Sequence, residues 1–256
     1  MRKTTLLLAC VGVLTLLTAC VKHYQVASVE RTRILIDNRW DARPVAEVMD
    51  FIQPYKHVVD SVMGPVVGHV AKYLDARRPE STLSNLLPDI LVWAAKDFNE
   101  TADFGVYNMG GIRAALAKGP VTYGDVLDVA PFDNKICFVT LTGEQVMELF
   151  RQIAKTGGEG VSHGVELVIT RSGQLKSARL NGEPIDPARS YRVTTIDYLL
   201  QGNDKMTAFR SGSNILAPQD ERNNSRFIIM NYFKTMEEQG IVVDANLEGR
   251  IKVEDE

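Results

Sequence analysis

The 256-residue sequence is poor in the side chains that metal and disulfide chemistry require. Its three Cys cannot make a disulfide scaffold. Its four His stand apart, at 23, 57, 69 and 163. There is no His-Glu-x-x-His, no Cys pair, and no Asp-x-His or Asn-His step. A two-metal centre needs several His and Asp ligands around ions about 3.5–4 Å apart, and that material is missing. A Walker loop and a Rossmann glycine fingerprint are also lacking. So is any excess of positive charge. The formal net charge of −3 leaves no electrostatic footprint for nucleic acid, which is excluded as a partner. No Ser/Gly linker, low-complexity run or repeat interrupts the chain. At 45% hydrophobic and 24% charged, the composition is that of a folded globular protein.

The first twenty residues read as a signal rather than as fold. Met1-Arg2-Lys3 is a short basic start, Thr4 to Leu17 is almost wholly apolar, and Leu17-Thr18-Ala19-Cys20 closes the run. The apolar run is too short for a permanent span. Cys at the cleavage point resembles the bacterial lipobox. The expectation is therefore a signal peptide over 1–19, lipidation of Cys20 and a tether over 20–43. The resulting lipoprotein would be held by its lipid to a membrane of the bacterial cell envelope, in the periplasm, at the outer membrane or at the cell surface. Cys10 would leave with the signal. Cys137, in the apolar run Lys135 to Thr140, reads as a small core residue.

Beyond the tether, where Arg33 to Asp37 alternates as an edge strand would, helices and strands mix. Apolar residues from Val45 to Val62 recur at helical spacing, with a break expected near Pro54. Helices are predicted over Ser81 to Phe98, Gly143 to Ala154 and Arg226 to Glu238. Strands are predicted at Val66–Ala71, Phe104–Tyr107, Ile136–Leu141, Val165–Ile169, Leu175–Leu180, Tyr191–Thr195 and Arg250–Val253. Asn181-Gly182 is a hairpin turn. The fold class is α+β, a single mixed domain over 44–256.

One motif is a decoy. Gly160-Val-Ser-His-Gly164 fits the G-x-S-x-G of a hydrolase nucleophile elbow, which works only between a strand and a helix. Here a helix and the loose Lys155 to Gly160 precede it and a strand follows. His163 is the last His, so no acid-then-His order remains. The informative cluster lies elsewhere. Asn108-Met-Gly-Gly-Ile-Arg113 follows a strand. Its Gly110 and Gly111 admit close backbone approach, while Asn108 and Arg113 offer an amide and a guanidinium. Gly124-Asp125-Val126 follows, then Val129-Ala-Pro-Phe132-Asp-Asn134, with an aromatic after Pro. Ile196-Asp197-Tyr198 to Gly202-Asn-Asp204 adds a second ring and a carboxylate. Singly, each reads as a turn, an ion pair or core. Together, two rings with Asn, Arg and Asp in loops suit a planar polar ligand.

These segments resemble the C-terminal domain of the 5′-nucleotidase family. The stretches that carry the likeness are Glu80-Ser-Thr-Leu-Ser-Asn85, Tyr107-Asn-Met-Gly-Gly-Ile-Arg113, Val121-Thr-Tyr-Gly-Asp125, Val129-Ala-Pro-Phe-Asp-Asn134 and Val139-Thr-Leu-Thr-Gly143. Leu180-Asn-Gly-Glu-Pro-Ile-Asp186, Tyr191-Arg-Val-Thr-Thr195 and Asp197 to Asp204 complete the series. The resemblance implies that Phe132 and Tyr198 sandwich a base. It implies that Asn108 and Arg113, with Arg77 as a second arginine, hold the ribose or phosphate region. Asp204 would accept from ribose hydroxyls. The family's Gly-Gly-Asp-Gly is replaced here by Gly202-Asn-Asp-Lys205. Family members pair this domain with a metallophosphoesterase domain that does the hydrolysis, and the sequence shows no such half. The expectation is the nucleotide- or nucleoside-binding half of a split 5′-nucleotidase, a hydrolase of nucleotide catabolism. It would be inactive alone and hold no metal or other cofactor, the divalent metals coming with a metallophosphoesterase partner chain. The alternative is a stand-alone nucleoside- or nucleotide-binding surface lipoprotein without hydrolase activity.

Overall fold

The computed structural model describes residues 25–35, 39 and 44–255. The signal peptide, Cys20 and part of the strand expected at 33–37 lie outside the described residues. Residues 25–35 are exposed and irregular. The chain divides into two units between Phe51 and Ile52.

Helix α1, Ala46–Met63, runs through Pro54 without the expected break, and none of its side chains is buried. Proline removes one N–H and its hydrogen bond. On a helix with no buried face, the carbonyl left over can turn to water, and the helix continues. Among the described residues no helix is long and apolar enough to cross a membrane.

The second unit is built on three sheets. A two-stranded sheet pairs β1 (Val66–Val70) with β3 (Gly119–Thr122). The central five-stranded sheet runs in the order β10-β4-β9-β2-β5. Its strands are β2 (Phe104–Tyr107), β4 (Ile136–Thr142), β5 (Gly160–Val161), β9 (Ser190–Ile196) and β10 (Ser213–Leu216). A four-stranded sheet takes the order β11-β6-β7-β8, from β6 (Val165–Thr170), β7 (Leu175–Leu180), β8 (Glu183–Pro184) and β11 (Ile251–Glu254). Asn181 and Gly182 both take positive φ at the β7–β8 turn, as their residue types predict.

Helix α2 (Thr82–Ala94) lies across β2, β5 and β9. It starts at a reciprocal Ser81–Ser84 capping box and buries Leu83, Leu86, Leu87, Ile90 and Leu91. It approaches so closely that a Cβ on Gly105 of β2 would stand 2.7 Å from the Pro88 carbonyl oxygen. Only glycine fits there. Helix α4 (Gly143–Lys155) bridges the two larger sheets from a Thr142–Gln145 box. Helix α6 (Ser225–Glu238) packs on β1 and α2. Two further helices, α3 (Tyr123–Val129) and α5 (Asp197–Leu200), were not predicted. The result is the α+β architecture read from the sequence.

Topology decides where the functional loops emerge. β2 runs parallel to β9, with Phe104 opposite Val193. β4 runs antiparallel to β9, with Ile136 opposite Ile196. The carboxyl ends of β2 and β9 and the amino end of β4 therefore share one edge of the sheet. The residues after Tyr107, after Ile196 and before Ile136 come together there.

Candidate functional site

A cavity of about 200 Å³ opens at that edge, lined by Asn108, Gly110, Phe132, Asn134, Tyr198 and Asp204. Asn108 leaves β2 in an extended conformation, and Met109–Gly111 then make one tight turn. Asp204 sits in the left-handed region at φ 50°, ψ 29°. That conformation is unusual for any residue but glycine, though Asp and Asn adopt it more readily than most. It carries the carboxylate back toward Asn108 and Tyr198. The Asn108 amide donates to Asp204 Oδ2 at 2.8 Å, and the Tyr198 hydroxyl donates to Asp204 Oδ1 at 2.9 Å. The hydrogen bond to this carboxylate holds the Tyr198 phenol above its ordinary pKa, with smaller contributions from burial and from the Asp204 charge. Both rings remain accessible, Phe132 at 47% and Tyr198 at 36% exposure. A Cβ on Gly111 would fall 2.5 Å from Asn108 Oδ1. Glycine at 111 is thus a condition for seating the Asn108 side chain.

Of the residues singled out in the sequence, five line the cavity: Asn108, Gly110, Phe132, Tyr198 and Asp204. Gly111 is buried in the turn behind it. Arg113 is exposed outside the lining, with its guanidinium 3.4 Å from the Gly110 carbonyl. Arg77 is also outside the lining and pairs with Asp75 at 3.1 Å. Asn134 joins the lining without having been given a role. Its place two residues after Phe132 in the same loop was the available signal. The Gly124 to Val129 stretch is helical rather than loop, opened by a reciprocal Thr122–Asp125 capping box. That three-residue spacing was legible in the sequence.

Glu159 was missed altogether. The segment Lys155 to Gly160 reads as loose, yet the Glu159 carboxyl is buried. Its Oε2 accepts from the Met109 N–H at 2.6 Å, inside the turn that carries the site. Its Oε1 pairs with Arg78, whose Nε donates to the Gly158 carbonyl at 2.8 Å. Burial pushes the Glu159 carboxyl above the usual range, against the lowering effect of the Met109 N–H and Arg78. The decoy motif is structural. Buried Ser162 accepts from the Gly105 N–H at 2.8 Å, and the His163 ring pairs with Glu248. Cys137 is a core residue whose thiol burial pushes up to about 12.

Divalent metals belong to the chemistry of phosphomonoester hydrolysis, but the side chains here do not fit them. Among the described residues no group of three or more His, Cys, Asp or Glu could hold a metal ion. The Asp204 oxygens already serve Asn108 and Tyr198. A wider cleft of about 850 Å³ lies between the end of α2 and α6. Asp97, Glu221, Arg222 and Lys234 line it, and none of the residues singled out in the sequence does.

Comparison with known proteins agrees with this geometry. Residues 66–211 match the family described as "5′-nucleotidase, C-terminal domain". Protein UshA of Escherichia coli is 26% identical over 161 residues, 62% of this chain and 29% of that protein. The trifunctional nucleotide phosphoesterase protein YfkN of Bacillus subtilis is 29% identical over 197 residues, 70% of this chain and 13% of that protein. The crystal structure of a 5′-nucleotidase precursor from Thermus thermophilus superposes with a TM-score of 0.71 at 26% identity. That match covers 84% of this chain and 45% of the other. The chain thus spans less than a third of the length of these two curated relatives. Through its C-terminal domain type, the chain belongs to the 5′-nucleotidase family.

Proposed function

We propose that this chain is the nucleotide- or nucleoside-binding half of a split 5′-nucleotidase. In this reading a metallophosphoesterase chain brings the divalent metals and hydrolyses the phosphomonoester. The present chain contributes orientation and remote binding energy. One observation carries the reading: the accessible rings of Phe132 and Tyr198 line the same cavity as Asn108 and Asp204. Two aromatic rings with an amide and a carboxylate in the same cavity suit a base and its sugar. In this reading Phe132, Tyr198, Asp204, Asn108 and Gly110, with Gly111 behind them, form the body of the site, and Arg113 and Arg77, which stand outside the lining, would serve the phosphate. A lipid on Cys20 would tether the domain in the bacterial envelope, in the periplasm, at the outer membrane or at the cell surface. The basic, apolar, small-residue order before Cys20 supports that anchor.

The test joins binding to turnover. Adenosine and AMP should bind the purified chain, and Phe132→Ala should weaken binding about tenfold or more, the scale of one lost base stack. With Phe132 nearly half exposed, the variant should stay folded. Phosphate release from AMP should appear only in material co-purified with the lipidated chain and supplied with divalent metal. Turnover by the chain alone, indifferent to substitution of Asn108 or Arg113, would sink the split-enzyme reading.

A second reading is favoured by the internal assembly of the site. Asn108, Asp204 and Tyr198 order one another through their own hydrogen bonds, with no second chain involved. A stand-alone nucleoside-binding lipoprotein would use the same cavity. It predicts undiminished adenosine binding in cells from which every co-purifying phosphoesterase has been removed.

A further inference from the structure

Phe132 and Asn134 ride on the loop between α3 and β4, and three consecutive residues at the start of α6 fasten that loop. Arg226 Nη2 donates to the Pro131 carbonyl at 3.1 Å and pairs with the Asp133 carboxylate. The Asn224 amide donates to Asp133 Oδ1 at 3.1 Å. The Ser225 N–H donates to the Asn134 carbonyl at 2.8 Å. Each of the residues Pro131, Asp133 and Asn134 is thus gripped from α6, while the Phe132 ring between them is left accessible.

Stability alone does not account for this clamp. The Asp133 side chain is 84% exposed, and a salt bridge to so open a carboxylate adds little to stability. The Arg226 side chain is only 15% exposed, and its Nε is buried with no hydrogen-bond partner among the described residues. A buried donor left unpaired is unfavourable. What Arg226 secures is geometry. Its Nη2 alone reaches a backbone carbonyl and a carboxylate on either side of Phe132, which fixes the backbone from which the ring projects.

We propose that Arg226 is a positioning residue of the nucleoside site, acting through Pro131 and Asp133 on the Phe132 ring. The inference rests on the reading of the cavity as a nucleoside site. It adds α6, which contributes no side chain to the cavity, as the element that sets the ring.

A double-mutant cycle read by adenosine titration tests it. Arg226→Gln should weaken adenosine binding about fivefold to tenfold, and Arg226→Lys, which keeps the charge and one nitrogen donor, should recover part of that loss. The decisive readout is coupling. In the Phe132→Ala background, Arg226→Gln should change adenosine affinity hardly at all, because the ring it positions is gone. Asp133→Ala, at an exposed site that leaves the fold intact, should weaken binding in the same direction and be equally silent without Phe132. Wild-type affinity in both Arg226→Gln and Asp133→Ala would overturn the inference, as would losses that multiply with Phe132→Ala. In either case a binding loss in Phe132→Ala alone would leave the nucleoside reading standing. Wild-type affinity in Phe132→Ala would bring down both.

Discussion

Replacing Glu159 by Gln separates what this buried carboxylate does for stability from what it does for the site. Its desolvation raises the native pKa above the ordinary value of 4.5. Between that value and the native pKa, the folded protein holds a proton that the unfolded chain has released. Stability from this group is therefore present at the acid end of the window and lost as pH rises through it. The slope is at most about 1.4 kcal/mol per pH unit. Above the window the anion remains bonded to the Met109 N–H at 2.6 Å and paired with Arg78. Gln keeps an acceptor for Met109 but exchanges a charge-assisted bond for a neutral one, a loss of about 1 kcal/mol that relief from burying a charge offsets. Arg78, 42% exposed, can turn to water. Near pH 8 the two proteins should therefore differ by no more than about 1 kcal/mol in urea unfolding. The wild type should gain on the variant as pH falls toward 4.5. Adenosine affinity at pH 8 should nevertheless fall severalfold in Glu159→Gln, because the turn bearing Asn108 and Gly110 exchanges a charge-assisted brace at Met109 for a weaker neutral one. A wild-type advantage that grows as pH rises would refute the reasoning. It would mean that the pairing with Arg78 and Met109 outweighs desolvation.

Two further outcomes are expected. In Asp204→Asn the Tyr198 phenol should titrate closer to its ordinary value, seen as an earlier rise of phenolate absorbance. An unchanged titration would remove Asp204 as the cause. Labelled palmitate should enter the wild-type chain in bacterial cells and not the Cys20→Ala variant, whereas equal labelling of both would exclude Cys20 as the lipid site.

The parts of the site legible in the sequence are those carried by local backbone chemistry. Asn108-Met-Gly-Gly marks a turn because glycines stand where side chains would collide, and Gly111 meets that expectation against Asn108 Oδ1. Phe132 and Tyr198 were legible as rings in polar surroundings. Burial decided by distant segments was not legible. Glu159 lies in a glycine-rich run whose local sequence says only loop, and the fold brings its carboxylate to the Met109 N–H and the Arg78 guanidinium. Arg77 was singled out over its neighbour Arg78 by the resemblance alone, since nothing in the local sequence separates them. The fold turns Arg78 onto Glu159 and leaves Arg77 with Asp75. The short α3 escaped because seven residues give too little periodicity, and its capping box was the sole signal. Pro54 misled in the other direction: a helix interior can carry one proline, as the buried α2 also does at Pro88.

Strand register joins these pieces into one site. Asn108, Phe132 and the Tyr198–Asp204 segment are far apart in sequence, and no motif dictates that they meet. They meet because Ile136 stands opposite Ile196 while β2 runs parallel on the other side of β9. Ile136, Phe138, Val193 and Ile196 are all buried. Both strands are buried on both faces here, and their ladder pairs without a shift from Ile136 opposite Ile196 to Thr142 opposite Ser190, so packing in the core and the unbroken ladder hold the register. The apolar core therefore has a functional consequence beyond stability. By fixing which strand ends are level, it determines that the Phe132 loop arrives beside Tyr198 and that Asp204 comes within reach of Asn108.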